Sequence, residues 1–390
     1  MTSADLPRND PKNIFGWCMY DWANSSFATS AGSAILPVYF VTLFRDAFGT
    51  ETFIFGFVLT GSSMWSIGVA LSTAIVALSS PVLGVIADRT QIKKTLLWTY
   101  TAAGAFFTFL ILFSAYSGAT WAWVLGCFII ANIGFAGGTV FYNSLLPNLA
   151  PRNLLDEVSS RGFAYGYIGG GLLLAVHLAI ILAYRNSGNL DLVTRLTVAS
   201  VAFWWFGWAI WTFVTVPEPD IANPVKGLNV QKAARMAFAE LGRTFREITR
   251  FRILVLYLVA YLLFNDGIQT VLSVAGAFGS DTLGITLVFN MATILLVQFV
   301  AAPGALLFSW IAGRTNTKRA LSMALAGWCL VIALAVGFVP LEPGAHIDFD
   351  YQLEYTTAGV YDIVESPDLS NDRDSDDDGL DFLAKLIRAN

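Results

Sequence analysis

Nine stretches of mostly apolar residues divide the chain, near 26–44, 62–86, 95–115, 121–142, 162–183, 197–216, 253–275, 283–311 and 319–339. Each is close to or beyond the roughly 20 residues that a helix needs to cross a bilayer core. The pattern predicts an all-α integral membrane protein with nine spans. The second and eighth stretches are long and contain Pro81 and Pro303, which suits tilting or kinking. Residues 1–13 are polar and carry Asp5, Arg8, Asp10 and Lys12, with no short apolar region and cleavage site behind them. The first span is therefore expected to serve as its own membrane signal.

The polar connections set an expected orientation. With the N-terminus in the cytoplasm, seventeen Lys and Arg fall in cytoplasmic segments, and only Arg45, Arg185 and Arg195 fall in outer loops. That bias follows the positive-inside rule. The longest connection, 217–252, opens with Pro217, Glu218 and Pro219 and then becomes basic and helical in pattern from Ala233 to Phe251. It reads as an amphipathic linker, or equally as a basic loop held by anionic lipid.

Composition agrees and excludes other classes. The chain is 56% hydrophobic and 13% charged, too little charge to coat a soluble core. Cys18, Cys127 and Cys329 are far apart, and the two His, His177 and His346, form no cluster with them. Neither a metal site nor a disulfide framework is expected. No nucleotide-binding or nucleophile motif stands out, so no cofactor, no nucleic acid, no catalytic residue and no enzyme activity are expected. The clusters Gly162, Gly166, Gly169, Gly170, Gly171 and Gly134, Gly137, Gly138 lie inside apolar stretches with no strand before them. They suit close helix packing, not a phosphate loop.

One internal repeat is visible. Ile86-Ala87-Asp88-Arg89-Thr90-Gln91-Ile92-Lys93-Lys94 follows the second stretch, and Ile311-Ala312-Gly313-Arg314-Thr315-Asn316-Thr317-Lys318-Arg319 follows the eighth, 225 residues later. Asp88 is placed to pair with Arg89 or to meet the N-terminal dipole of a neighbouring helix, as a charge latch between conformations. In the second copy Gly313 replaces it, so that half lacks the acidic partner. The plainer alternative is a positive-inside anchor.

Gly84, Asp88, Arg89, Lys93 and Lys94 resemble the loop 2–3 signature of the major facilitator superfamily. That pattern has a second Gly and a basic residue where this chain has Gln91 and Ile92, which implies a looser turn. Tyr20-Asp21-Trp22-Ala23-Asn24-Ser25-Ser26-Phe27, Phe264-Asn265-Asp266-Gly267-Ile268-Gln269-Thr270 and Leu146-Pro147-Asn148-Leu149-Ala150-Pro151 are similar to the branch related to the vacuolar amino-acid effluxer of autophagy. So is Ser160-Arg161-Gly162. The resemblance implies two six-helix halves: 1–216 as the first, 217–252 as the linker, and 253–339 as the first three helices of the second. It also implies secondary transport of small solutes by alternating access, with neutral amino acids the best-supported class, moved by a monomer at the cell membrane and with proton coupling as one route. A non-transporting receptor or scaffold, or an inactive truncated transporter, is the alternative.

Charges at the bilayer centre cost about 2.5–3.5 kcal/mol on insertion scales, so those present ask for a reason. Asp266, near the middle of the seventh stretch with Asn265 and Gln269 beside it, is the first candidate to accept a proton or bind a substrate amine. Asp21, Asn24 and Ser25 read either as a polar site or as the N-terminal cap of the first span. Tyr142, Asn143 and Asn132 in the fourth stretch and Asn290 and Gln298 in the eighth are further candidates, and His177 is expected to be held by a neighbouring helix. Arg314, Lys318 and Arg319 would complete the latch.

Residues 340–390 carry 13 acidic and 3 basic side chains. They read as a disordered acidic tail outside the cytoplasm, or as part of an enlarged loop in a chain that is itself a fragment. Asp374, Asp376, Asp378 and Gly379 resemble the start of a calcium loop, but Lys385 stands where a bidentate Glu is needed.

Overall fold

A computed structural model describes residues 9–54, 56–220, 230–248, 251–338, 351–355 and 361–365. Among them, nine helical segments are long and apolar enough to cross a membrane. The described residues divide after Thr317 into two compact units.

The first span is longer than its apolar stretch, running from Pro11 to Phe48 over 38 residues. It comprises α1 (Pro11–Ser26), a π-helical segment (Phe27–Ile35) and α2 (Leu36–Phe48). Its cap is Asp10, whose carboxylate accepts from the Lys12 N–H at 2.9 Å, with Pro11 opening the helix. Asp21, Asn24 and Ser25 are therefore mid-helix residues, and the capping reading of them is wrong. The polar run stays helical because Trp17, Tyr20, Ala23 and Phe27 are buried by packing against later helices.

A hairpin follows, β1 (Glu51–Ile54) with β2 (Phe57–Thr60), turning at Gly56 with φ 82°. Next come α3 (Gly61–Thr90), which continues through Pro81, α4 (Lys93–Leu110), α5 (Thr120–Leu149), α6 (Leu155–Tyr184) and α7 (Leu190–Thr215). The linker contributes α8 (Val230–Ile248), close to its expected place. Then come α9 (Arg252–Thr282) and α10 (Leu287–Arg314), also continuous through its proline.

The second unit is described by itself. It holds α11 (Thr317–Phe338) from Lys318 onward and a hairpin of β3 (Tyr351–Tyr355) with β4 (Tyr361–Glu365). The hairpin corrects the expectation of disorder for those ten residues, whose alternating Tyr, Leu and Ile favour strand. The calcium-like run from Asp374 lies outside the described residues.

The core sits among the first six spans. α1 packs on α6 and α7, α4 on α5 and α7, and α6 on α10. Small residues allow this closeness. A Cβ on Gly134 would stand 2.5 Å from Gly104 Cα and 2.7 Å from the Tyr100 carbonyl. A buried cation is fully engaged nearby: Arg195 donates to Asp191 through Nε at 2.9 Å and Nη2 at 2.7 Å, and to the Leu112 carbonyl at 2.8 Å, while Tyr39 donates to Asp191 at 2.6 Å.

Replacing Gly134 by Leu should cost about 1–3 kcal/mol by overpacking. Thermal unfolding in detergent should show a lower Tm for Gly134→Leu and no loss for Gly126→Leu, whose Cβ meets open space.

Candidate functional site

The first span carries three of the predicted polar residues, Asp21, Asn24 and Ser25. Asp21, Ser25, Ala28 and Gly32 are half-buried, as are Trp22 and Ser33, while Tyr20, Ala23, Asn24, Phe27 and Ala31 are buried. Spacings of four, three and four residues put Asp21, Ser25, Ala28 and Gly32 on one helical stripe.

Asp21 is anchored. The Tyr142 hydroxyl donates to its Oδ2 at 2.8 Å. Tyr142 is held in turn between Trp17 and Tyr20, with ring centroids 4.4 Å and 4.8 Å away. Trp17 Nε1 donates to the Tyr142 carbonyl at 3.2 Å. α6 lies against this stripe through glycines. A Cβ on Gly162 would stand 2.7 Å from Asp21 Oδ2, one on Gly166 2.5 Å from Ser25 Oγ, and one on Gly170 2.7 Å from Thr29 Oγ1. The glycine run thus makes room for three polar side chains at once, a role beyond the packing read from sequence.

The π-helical segment is the second element. A π turn loosens the backbone hydrogen-bond ladder and often marks a functional position. Two side chains from other helices fill the gap. Asn290 of α10 donates through one amide nitrogen to the carbonyls of Ser33 at 3.1 Å and Ala34 at 2.8 Å. Ser30 shares a 2.7 Å bond with His177 Nδ1, and His177 Nε2 lies 2.8 Å from Ser200 Oγ. Ser200 spends its proton on the Thr197 carbonyl at 2.7 Å, so it accepts from His177 Nε2–H, and Ser30 donates to Nδ1. His177 is thus held by its neighbours, as expected.

Other predicted residues scatter. Tyr142 and Asn143 are about 100° apart on α5, so Tyr142 is buried and Asn143 is exposed on another face. Asn132 donates to Ser72 at 2.7 Å, away from Asp21. Gln298 is half-buried beside Gly171, with its Oε1 enclosed and unpartnered. Asp266 is central in α9 but exposed, as is Gln269, while Asn265 is half-buried. The structure does not bring Asp266 to Asp21.

At the far end of α3, in the signature loop, Asp88 pairs with Lys93 at 2.7 Å. The α4 N-terminus is capped by Glu218, which accepts from the Lys93 N–H at 2.7 Å and the Lys94 N–H at 2.8 Å. Gln91 takes the left-handed conformation, φ 53° and ψ 45°, that a glycine would adopt more cheaply, and donates to Asp220 at 3.3 Å. Gly84 meets open space. Arg314 stacks on Trp310 at 4.1 Å. Lys318 and Arg319 open α11 in the other unit.

Residues 9–361 match the family described as Vacuole effluxer Atg22 like. The chain belongs to this family. The MFS-type transporter YxiO of Bacillus subtilis is 28% identical over 322 residues, covering 82% of this chain and 72% of that protein. Autophagy-related protein 22 of Coccidioides immitis is 23% identical over 401 aligned positions, covering 78% and 65%. Autophagy-related protein 22-1 of Aspergillus niger is 27% identical over 200 residues, covering 48% and 31%. The chain thus spans less than two thirds of those two fungal proteins. As an effluxer-family member with an MFS-type relative, it is a multi-pass membrane transporter of the major facilitator fold.

Sequence reasoning singled out Asp21 and Asn290 as candidates and did not anticipate Glu218 as a cap or the π segment. The signal for Glu218 was its place between two prolines after the sixth span; for the π segment it was the small-residue run Ala28 to Ala34. Gln91→Gly should stabilise the protein by up to about 1 kcal/mol by relieving the left-handed residue. Glu218→Ala should cost about 1 kcal/mol as a lost helix cap. Opposite shifts of Tm in detergent would show both.

Proposed function

We propose that the stripe Asp21–Ser25–Ala28–Gly32 lines the route of a small polar solute, with neutral amino acids as the substrate class and efflux as the direction. The observation that carries this reading is the Asp21–Tyr142 pair, an acid held by one neutral hydroxyl with no cation bonded to it among the described residues. A carboxylate so placed can receive a substrate ammonium group or a proton, and a lone charge at this depth is costly without such a role.

The eighth span adds polar groups to the route. Asn290 ties the π segment to α10, and the enclosed Gln298 Oε1 is an acceptor that a substrate N–H would satisfy. Asp266, on an exposed face of α9 and apart from Asp21, is the second carboxylate assigned to proton movement. Alternating access moves α9 and α10 relative to the first six spans, with Glu218 and the Asp88–Lys93 pair fixing the α3–α4 loop. The basic connections favour a cytoplasmic N-terminus in the cell membrane.

The test is flux of labelled neutral amino acids in proteoliposomes, with and without a pH gradient. Asp21→Asn should lower flux at least about tenfold, the loss of roughly 1.4 kcal/mol of binding. Tyr142→Phe should lower it less. Asp266→Asn should remove the response to the pH gradient. Full flux in Asp21→Asn would refute the assignment of Asp21, and an intact pH response in Asp266→Asn would refute that of Asp266.

A further inference from the structure

The ends of three helices meet at the face of the bundle opposite the Asp88 loop. Arg45 stands in the last turn of α2, Ser62 in the first turn of α3, and Asp281 in the last turn of α9. Arg45 Nη2 donates to the Asp281 carbonyl at 2.6 Å and to its Oδ1 at 3.0 Å. The Ser62 backbone N–H donates to Asp281 Oδ2 at 2.9 Å. One carboxylate thus neutralises a cation from α2 and caps a helix start on α3, using both oxygens. N–H groups in the first helical turn lack partners inside their own helix, so this cap comes from a separate span. The Asp281 side chain is 7% exposed, whereas that of Arg45 is 38% exposed and open to water.

Deeper on the same side the contacts continue. Trp65 Nε1 donates to the Ser273 carbonyl at 3.3 Å. A Cβ on Gly276 would stand 2.8 Å from the Ser33 carbonyl and 3.3 Å from Pro37 Cβ. The buried residues of α9 are Gly276, Ala277, Gly279 and Ser280, all near this end, and those of α10 are Asn290 and Met291, near the same end. From Arg252 to Leu272 no described residue of α9 is buried.

We propose that Arg45, Asp281 and the Ser62 N–H form a gate, with Asp281 as its pin. This contact closes the transporter at the face away from the Asp88 loop, and it must break for α9 to leave α2 and α3 when that face opens. The chemistry suits a reversible closure. The bonds are charge-assisted and strong enough to hold a state, while water reaching Arg45 can replace them. The inference rests on the alternating-access reading, and its test needs no substrate.

Spin labels at Phe48 and Leu283, both exposed and beside the gate but not part of it, report its width by pulsed electron resonance on the full chain in nanodiscs. The native chain should show a dominant short distance. Asp281→Asn and Arg45→Gln should each raise the ratio of long to short distances by about tenfold, as expected for losing charge-assisted bonds. Asp46→Asn, an exposed neighbour, should leave it unchanged. A second arm restores the ion pair: the charge-swapped Arg45→Asp/Asp281→Arg pair should bring the ratio back below that of either single variant. Unchanged distances in both single variants, or a swapped pair as open as they are, would overturn the gate. Gate opening without flux of any amino acid tested would leave the gate standing and remove the substrate reading instead.

Discussion

In hydrocarbon a backbone polar group has no water to turn to, and one left without a partner costs several kcal/mol. The architecture of the first span follows from that constraint. Its π-helical segment interrupts the α-helical hydrogen-bond pattern near the centre of the span, and polar groups there are met from outside the helix. Asn290 answers the Ser33 and Ala34 carbonyls. His177 answers Ser30 and passes the bond to Ser200. Asp21, one and a half turns before the segment, is answered by Tyr142. The partners come from α10, α6 and α5, so the irregular helix is the point where several spans are tied together.

This arrangement connects packing to movement. The glycines of α6 let its backbone lie against the polar stripe, and small contacts of that kind permit helices to shift with little loss of packing. Asn290 reaches the carbonyls of Ser33 and Ala34 from a helix beyond the first six spans, so it ties α10 to the end of the π segment. At one end of the bundle Asp281 couples α9 to α2 and α3. At the other, Glu218 and the Asp88–Lys93 pair hold the α3–α4 loop to the start of the linker. At the loop where a latch is expected from sequence, the linker acid Glu218 serves the helix dipole and Asp88 serves a lysine side chain.

Much of the fold was legible because membrane spans announce themselves by length and apolarity. All nine were visible, and their loops lay close to the places expected. The first span was misjudged at its start, since Lys12, Asn13, Asp21, Asn24 and Ser25 interrupt an otherwise largely apolar run that packs against α6 and α7. The site was legible in part. Asp21, Tyr142 and Asn290 stood out as polar residues in apolar runs. The pairing of Tyr142 with Asp21 spans 121 residues and depends on how α1 crosses α5, which no local pattern encodes. Asp266 stood out for the same reason as Asp21, yet an exposed face of α9 carries it. The Arg45–Asp281 contact was hidden because each residue sits at a helix end, where charges are ordinary.

The most direct test of the account is a cysteine scan of the first span in a background lacking Cys18, Cys127 and Cys329, read by a small hydrophilic thiol reagent in membranes. Reactivity should follow the stripe, with cysteines at positions 21, 25, 28 and 32 modified and those at 20, 23, 27 and 31 protected. Uniform protection, with positions 21 and 25 as inert as 23 and 27, would mean that the stripe faces lipid or packed protein. The proposed route along it would then be wrong.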